Sequence, residues 1–312
     1  MERRNEVVVG VDGSPVSDAA VIWAAAEAHS RGAGLVIVYA IEEGTSLSWL
    51  PSSMIAAGLR EFGRPTVKAA RRTAQRAEPD VSVRTGVLIG SATRVLKEMS
   101  GHASMVVVGR TGRGSLLQFT LGSVPNRLAA AASCPVVTVP APSDSTAPGP
   151  VNRVVIAVDE AYRREYQLGF ALDEAVRRHA DVVVLHAAEH ADADPQWSGR
   201  LNRETARARQ AHPWLRVSVE VTAGTLEEAV ADLCKPHDLL VLGHRRPRLI
   251  PSALGANIKS ALDAAPCPVA VVGEAALAHR LAFARVAPTI AIHAPAGAAT
   301  AVACEAKPSS SG

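Results

Sequence analysis

The chain has 312 residues, of which 48% are hydrophobic, 20% charged and 4% aromatic, with a formal net charge of +3. That length predicts two domains, and the balance excludes both a disulfide-stapled miniprotein and a disordered chain. Few Tyr and Trp and no basic run interleaved with aromatics argue against an all-β recognition module and against nucleic acid as a partner.

Met1–Val9 lacks a long apolar stretch, so no secretory signal is expected and the chain reads as cytoplasmic. From there, runs of β-branched residues predict strands over 6–12, 35–41, 81–87, 105–109 and 136–140. Ala-rich amphipathic segments between them predict helices over 16–30, 65–78, 91–101 and 123–132. Uninterrupted apolar strands that alternate with helices describe a parallel sheet covered on both faces, with right-handed crossovers.

Residues 141–151, within a stretch of Pro, Ser, Gly and Asp, read as a linker. Beyond it the pattern repeats. EVVVGVD at Glu6–Asp12 returns as VVIAVD at Val154–Asp159, MVVVG at Met105–Gly109 as LLVLG at Leu239–Gly243, and SCPVVTV at Ser133–Val139 as PCPVAVV at Pro266–Val272. The second copy predicts strands over 153–158, 181–187, 215–221, 238–242 and 269–272, with helices over 163–179, 199–212, 225–235 and 255–265. The expected fold is therefore α/β: two tandem, doubly wound, five-stranded parallel-sheet domains of Rossmann-like form, residues 1–140 and 152–273.

Each copy ends in an apolar strand, Val136–Val139 and Val269–Val272, whose bare edge invites antiparallel pairing with its counterpart in an intrachain pseudo-dimer. After Gly273 the periodicity decays, so 274–312 is expected to be a largely disordered tail with one short helix near 274–284. Leu281–Val302 is apolar but contains Arg285, His293 and prolines, so no membrane span is expected. Cys134, Cys234, Cys267 and Cys304 have neither C-x-x-C nor zinc spacing and read as free thiols.

Open α/β sheets bind ligands beyond the carboxyl ends of their strands, where the strand order reverses. At the end of the first strand stand Asp12, Gly13, Ser14 and Pro15, a carboxylate, a flexible glycine and a helix cap; alone, this is also an ordinary strand-to-helix turn. After the fourth strand the chain reads Gly109-Arg110-Thr111-Gly112, nine residues, then Gly122-Ser123, a G-x2-G-x9-G-S spacing. Glycines let backbone N–H groups close on an anion, and a helix start adds unpaired donors, so this loop suits phosphate; Arg110 and Arg113 add charge. Gly109–Ser115 lacks the lysine of a Walker A loop, and the first strand is not followed by G-x-G-x-x-G, which disfavours a dehydrogenase.

Taken together, the repeat, Asp12 and G-x2-G-x9-G-S resemble the universal stress protein family in a tandem form, closely over 5–140 and more loosely over 152–273. The resemblance implies ATP, with Mg2+, in the first domain. Gly10, Val11, Asp12, Gly13, Ser14 and Ala40 would surround adenine and ribose, and Val108, Gly109, Arg110, Gly112, Gly122, Ser123 and Val124 would hold ribose and phosphates. Pro125 stands where family members often carry a hydroxyl. The second copy has Asp159-Glu160-Ala161 after its first strand, Arg246 in place of the second glycine, a loop one residue shorter, and Gly255-Ala256 in place of Gly-Ser; the expectation is that it binds no ATP.

His186 and His190 are four apart but outside H-E-x-x-H, no Ser/His/Asp set can be assembled, and the cations of 60–76 read as a solvated helix face. The function expected is a nucleotide-responsive stress or dormancy regulator acting through conformation or partners, with at most weak ATPase activity because no general base or metal cluster is visible. Its rivals are an enzyme of the adenine nucleotide α-hydrolase-like group, whose S-G-G-x-D-S loop is absent, and a nucleotide-free scaffold. A homodimer of the whole chain stays open.

Overall fold

A computed structural model of the chain describes residues 6–42, 52–111, 123–141, 151–158, 165–188, 203, 205–244 and 254–273. In chain order, the first half runs β1 (Glu6–Val11), α1 (Pro15–Ser30), β2 (Gly34–Ile41), α2 (Ser52–Ala77), β3 (Val83–Ile89), α3 (Ala92–Ser100), β4 (Met105–Gly109), α4 (Ser123–Ala131) and β5 (Val136–Val139). The second half runs β6 (Arg153–Val158), α5 (Glu165–Arg178), β7 (Asp181–Ala188), α6 (205–211), β8 (Val217–Ala223), α7 (Leu226–Leu233), β9 (Asp238–His244), α8 (Ala256–Ala264) and β10 (Val269–Gly273).

The ten strands among the described residues form one sheet in the order β3-β2-β1-β4-β5-β10-β9-β6-β7-β8. Within each half every pairing is parallel, and the order reverses beside β1 and beside β6. The halves join through β5 and β10, antiparallel as expected, with Thr138, Val137 and Val136 opposite Val269, Ala270 and Val271. Alternate strand residues feed two buried layers. Val7, Val9 and Val107 meet α1, α2 and α5 on one face; Val8, Val106 and Val108 meet α3, α4, α7 and α8 on the other.

Several expected boundaries move, and for three of the starts the cause is visible. α2 begins at Ser52, thirteen residues ahead of the expected start, because Pro65 lies inside the helix rather than at its first turn. Gly63 lets this helix close on the sheet: a Cβ there would come within 2.7 Å of both Tyr39 and Val87. β3 and β8 each start two residues late, since Val81 and Leu215 plug the ends of the core instead of pairing. The helix expected near 274–284 and the tail lie outside the described residues.

Charge also crosses the seam. Glu27 of α1 and Arg31, which caps its carboxyl end, meet Glu174 and Arg178 of α5: Arg31 bonds Glu27 on its own side and Glu174 across, while Arg178 bonds Glu174 within its own helix and Glu27 across. Both glutamates are fully buried. The spacing that carries Val7 onto Val154 also carries Glu27 onto Glu174 and Arg31 onto Arg178, so the ring is isologous about the internal pseudo-dyad. Arg177 adds a 2.8 Å bond to Glu174, and the Arg178 guanidinium lies 5.3 Å from the Trp23 ring centroid. Burial opposes ionisation of Glu174, but Arg31, Arg177 and Arg178 overcome it and hold the carboxyl at about 2.

Candidate functional site

The first-half switch point lies between β1 and β4. Their ladder ends at the Val9↔Val107 rung, so Gly10 and Val11 on one side and Val108 and Gly109 on the other stand apart as two lips. Each lip stays anchored outward, Val11 to Tyr39 of β2 and Gly109 to Val139 of β5. The crevice therefore opens inside an otherwise rigid sheet.

Asp12 follows β1 and accepts a 3.0 Å hydrogen bond from the Ser14 amide. The chain turns through Gly13 at φ 77, a left-handed geometry that favours glycine. Ser14 then caps α1: its Oγ accepts from the Ser17 amide at 3.2 Å, and its carbonyl accepts from the Ser17 hydroxyl at 2.8 Å. Burial raises the Asp18 carboxyl above its ordinary value; Arg76 opposes this and the nearby Asp12 carboxylate adds to it. This corner is acidic. It suits hydrogen-bond donors such as an exocyclic amine or ribose hydroxyls better than phosphate.

Gly10 and Gly109 each have a packing reason to be glycine. A Cβ on Gly10 would stand 2.7 Å from Leu96 of α3, and one on Gly109 would stand 2.9 Å from Val16 at the start of α1. Ala40 at the end of β2 and Val124 in the first turn of α4 are half-buried against the cluster that holds Val108 and Leu96, so those two expected contacts flank the crevice on the α3–α4 face. α4 starts at Ser123, with Pro125 in its first turn as expected. Gly112, Arg113, Gly122 and the Ser123 side chain lie outside the described residues.

Arg110, expected beside ribose and phosphates, has its backbone and side chain in hydrogen bonds within the protein. Its amide donates to the Val139 carbonyl at 2.7 Å. Its guanidinium donates through Nη1 to the Ala265 carbonyl at 2.5 Å and through Nη2 to the Cys267 carbonyl at 2.8 Å, both in the second half. The antiparallel β5–β10 joint causes this, because it sets the ligand end of the first half level with the amino end of β10. Burial lowers the Arg110 pKa, with Cys267 and Asp263 opposing, and Nε has no partner among the described residues. Arg110→Ala leaves two carbonyls without their donors and is expected to cost about 2–3 kcal/mol in urea unfolding. A loss below about 0.5 kcal/mol would mean that the clasp contributes nothing.

The second-half switch point is built differently. The β6–β9 ladder runs one rung further, to Ala157↔Leu242. Gln167 of α5, fully buried, donates from Nε2 to the carbonyls of Ala157 at 2.6 Å and Val241 at 3.1 Å, and its Oε1 sits where a Cβ on Gly243 would go, 2.5 Å away. At the matching place α1 carries Ala20. Asp159, Glu160, Ala161 and Arg246 lie outside the described residues, as does His190. His186, buried, places Nδ1 3.3 Å from the Val158 carbonyl. No group of three or more metal-ligating side chains occurs among the described residues, and no described helix is long and apolar enough to cross a membrane.

Sequence reasoning missed the Gln167 plug and the Glu–Arg ring, although the repeat aligns the ring's members and exposes Gln167 as a departure from it.

Comparison with known proteins follows the same outline. A model of the Universal stress protein family matches residues 4–140 and again 150–273. A universal stress protein of Mycobacterium tuberculosis is 29% identical over 295 residues, covering 87% of this chain and 98% of that protein. One from Mycolicibacterium smegmatis is 31% identical over 291 residues, covering 85% and 96%. The crystal structure of a universal stress protein from Archaeoglobus fulgidus matches with a TM-score of 0.66 at 17% identity, over 86% of this chain and 96% of that one, a likeness of fold.

Proposed function

Because the chain belongs to the universal stress protein family in its tandem two-domain form, we propose that its first half binds one ATP, with Mg2+, in the crevice between β1 and β4, and that the second half binds none. The early end of the β1–β4 ladder at Val9↔Val107, against the extra rung and the Gln167 plug in the second half, carries this reading. A nucleotide needs a gap between the two central strands, and of the two switch points the first is the one left wider.

The residues suit the parts of the ligand separately. Asp12 and the Gly13–Ser14 turn offer an acidic rim for the adenine and ribose donors, and Ala40, Val108 and Val124 supply apolar surface beside it. The glycine loop that leaves Gly109 and returns at Ser123 brings backbone amides and the start of α4 to the phosphates. Mg2+ enters with the phosphates and neutralises part of their charge, keeping most of its water. Since Arg110 follows Gly109 and grips the second half, phosphate bound beside Gly109 alters the grip, which is a route from occupancy to the conformation a partner meets.

Isothermal titration of the full chain with ATP and Mg2+ tests this. One site per chain is expected, with affinity reduced at least tenfold in Asp12→Ala. Two equivalent sites, or no heat up to millimolar ATP, would reject it.

A further inference from the structure

Helix α2 carries more net charge than the whole chain. Between residues 60 and 76 it holds six cations, Arg60, Arg64, Lys68, Arg71, Arg72 and Arg76, and one carboxylate, Glu61, against a net +3 for all 312 residues. All seven are exposed, while Gly63, Val67, Ala70 and Ala74 turn inward to the sheet. Five of the cations, at 60, 64, 68, 72 and 76, stand four apart in one ridge of helix surface, about 24 Å long. Beside them Phe62 is 73% exposed, the most exposed large apolar side chain among the described residues.

The protein neutralises little of this ridge. Glu61 pairs with Arg64 at 3.1 Å, and Arg76 acts on Asp18 of α1. Arg60, Lys68, Arg71 and Arg72 have no ion-pair partner among the described residues. Like charges four apart repel along a helix, so the row does not serve the fold. Nor is it a habit of the repeat. Aligned so that Ala74 falls on Ala208, the second copy has Asp194, Ser198, Asn202, Ala206 and Gln210 in the same row.

We propose that the outer face of α2 docks the protein on an anionic lipid bilayer, lying on it rather than spanning it. The cations meet lipid phosphates, and the Phe62 ring enters the boundary with the acyl chains. Each part of the face points to this occupant. A second copy of the chain would present the same charge to the same charge. A protein partner would need an apolar core, which one ring on a convex helix does not make. A nucleic-acid duplex offers phosphates but no apolar layer for Phe62. A bilayer supplies both, with no register to satisfy.

The test floats the full chain, in low salt and without nucleotide, with vesicles of equimolar phosphatidylglycerol and phosphatidylcholine and with vesicles of phosphatidylcholine alone. Omitting nucleotide keeps the result independent of the crevice between β1 and β4. Binding to the anionic vesicles only is expected, and it is lost as salt rises. Lys68→Glu with Arg72→Glu lowers it about a hundredfold, and Phe62→Ala about tenfold. Should the double glutamate variant unfold, Lys68→Gln with Arg72→Gln still loses about tenfold. Lys97→Glu with Lys259→Glu, exposed on α3 and α8, changes the net charge equally and keeps binding within about threefold. The proposal is overturned by equal binding to phosphatidylcholine, by wild-type binding in the folded α2 variants or in Phe62→Ala, or by the same loss in the α3–α8 variant. It is also overturned by tighter binding to a duplex oligonucleotide or to poly-glutamate than to the anionic vesicles.

Discussion

Glu174→Gln lowers the unfolding free energy at neutral pH by about 3–5 kcal/mol, the range for removing one partner from a buried ionic network. The amide fills the same space but leaves Arg31 and Arg178, whose side chains are only 13% and 11% exposed, sharing the single carboxylate of Glu27. Their desolvation has been incurred and half of its compensation is gone. Acid should act on the wild type by the same route. The folded pKa of Glu174, about 2, lies below its ordinary 4.5, so its contribution is complete above the unfolded value and is lost as pH falls from about 4.5 toward 2. That loss is on the order of 3 kcal/mol. Denaturant unfolding at a series of pH values should show a steep acid branch in the wild type and a shallower one in Glu174→Gln. Parallel branches, or a variant as stable as the wild type at pH 7, would remove the ring from any role in holding the halves together.

Gly122→Asp is expected to weaken ATP binding at least a hundredfold while leaving Tm within a degree or two. The two readouts part for a physical reason. Residue 122 immediately precedes α4, and a carboxylate before a helix is a good cap that the helix dipole favours, so folding tolerates it. The same carboxylate occupies the place proposed for phosphate, repels it, and hinders close approach of the backbone. Gly122→Ala separates charge from bulk: it should bind more weakly than the wild type and better than the aspartate. An aspartate variant that binds ATP normally would take the phosphates away from this loop; one that simply unfolds would undo the argument about the cap.

The strands were legible because parallel strands buried on both faces, such as Met105–Val108, read as unbroken apolar runs, and the joint was legible because Val136–Val139 and Val269–Val272 are apolar except for the buried Thr138. Pro65 misled the start of α2, since a rule about where proline usually sits says nothing of the tertiary contacts that Gly63 allows beside it. Arg110 was harder to read. An arginine inside a glycine motif reads as an anion contact, and only the inverted stacking of the halves brings the carbonyls of Ala265 and Cys267 to it, a relation with no local trace in the chain. Gln167 was readable in principle, as a polar residue at a position where its repeat partner is alanine, but one glutamine in a helix announces its carbonyl partners only once the strands are in place.

The β5–β10 joint has a consequence for dilution. Two identical chains joined along such an edge would separate as their concentration fell, and any substitution on the shared face would be made twice, once on each side. Here the encounter is intramolecular, at an effective concentration set by a short connection, so pairing persists in a cell that holds only a few copies. The face is also released from symmetry. Arg110 stands opposite carbonyls with His244 at its matching position, and Gln167 has Ala20 for a counterpart, so one half can change at such a position without imposing the change on the other.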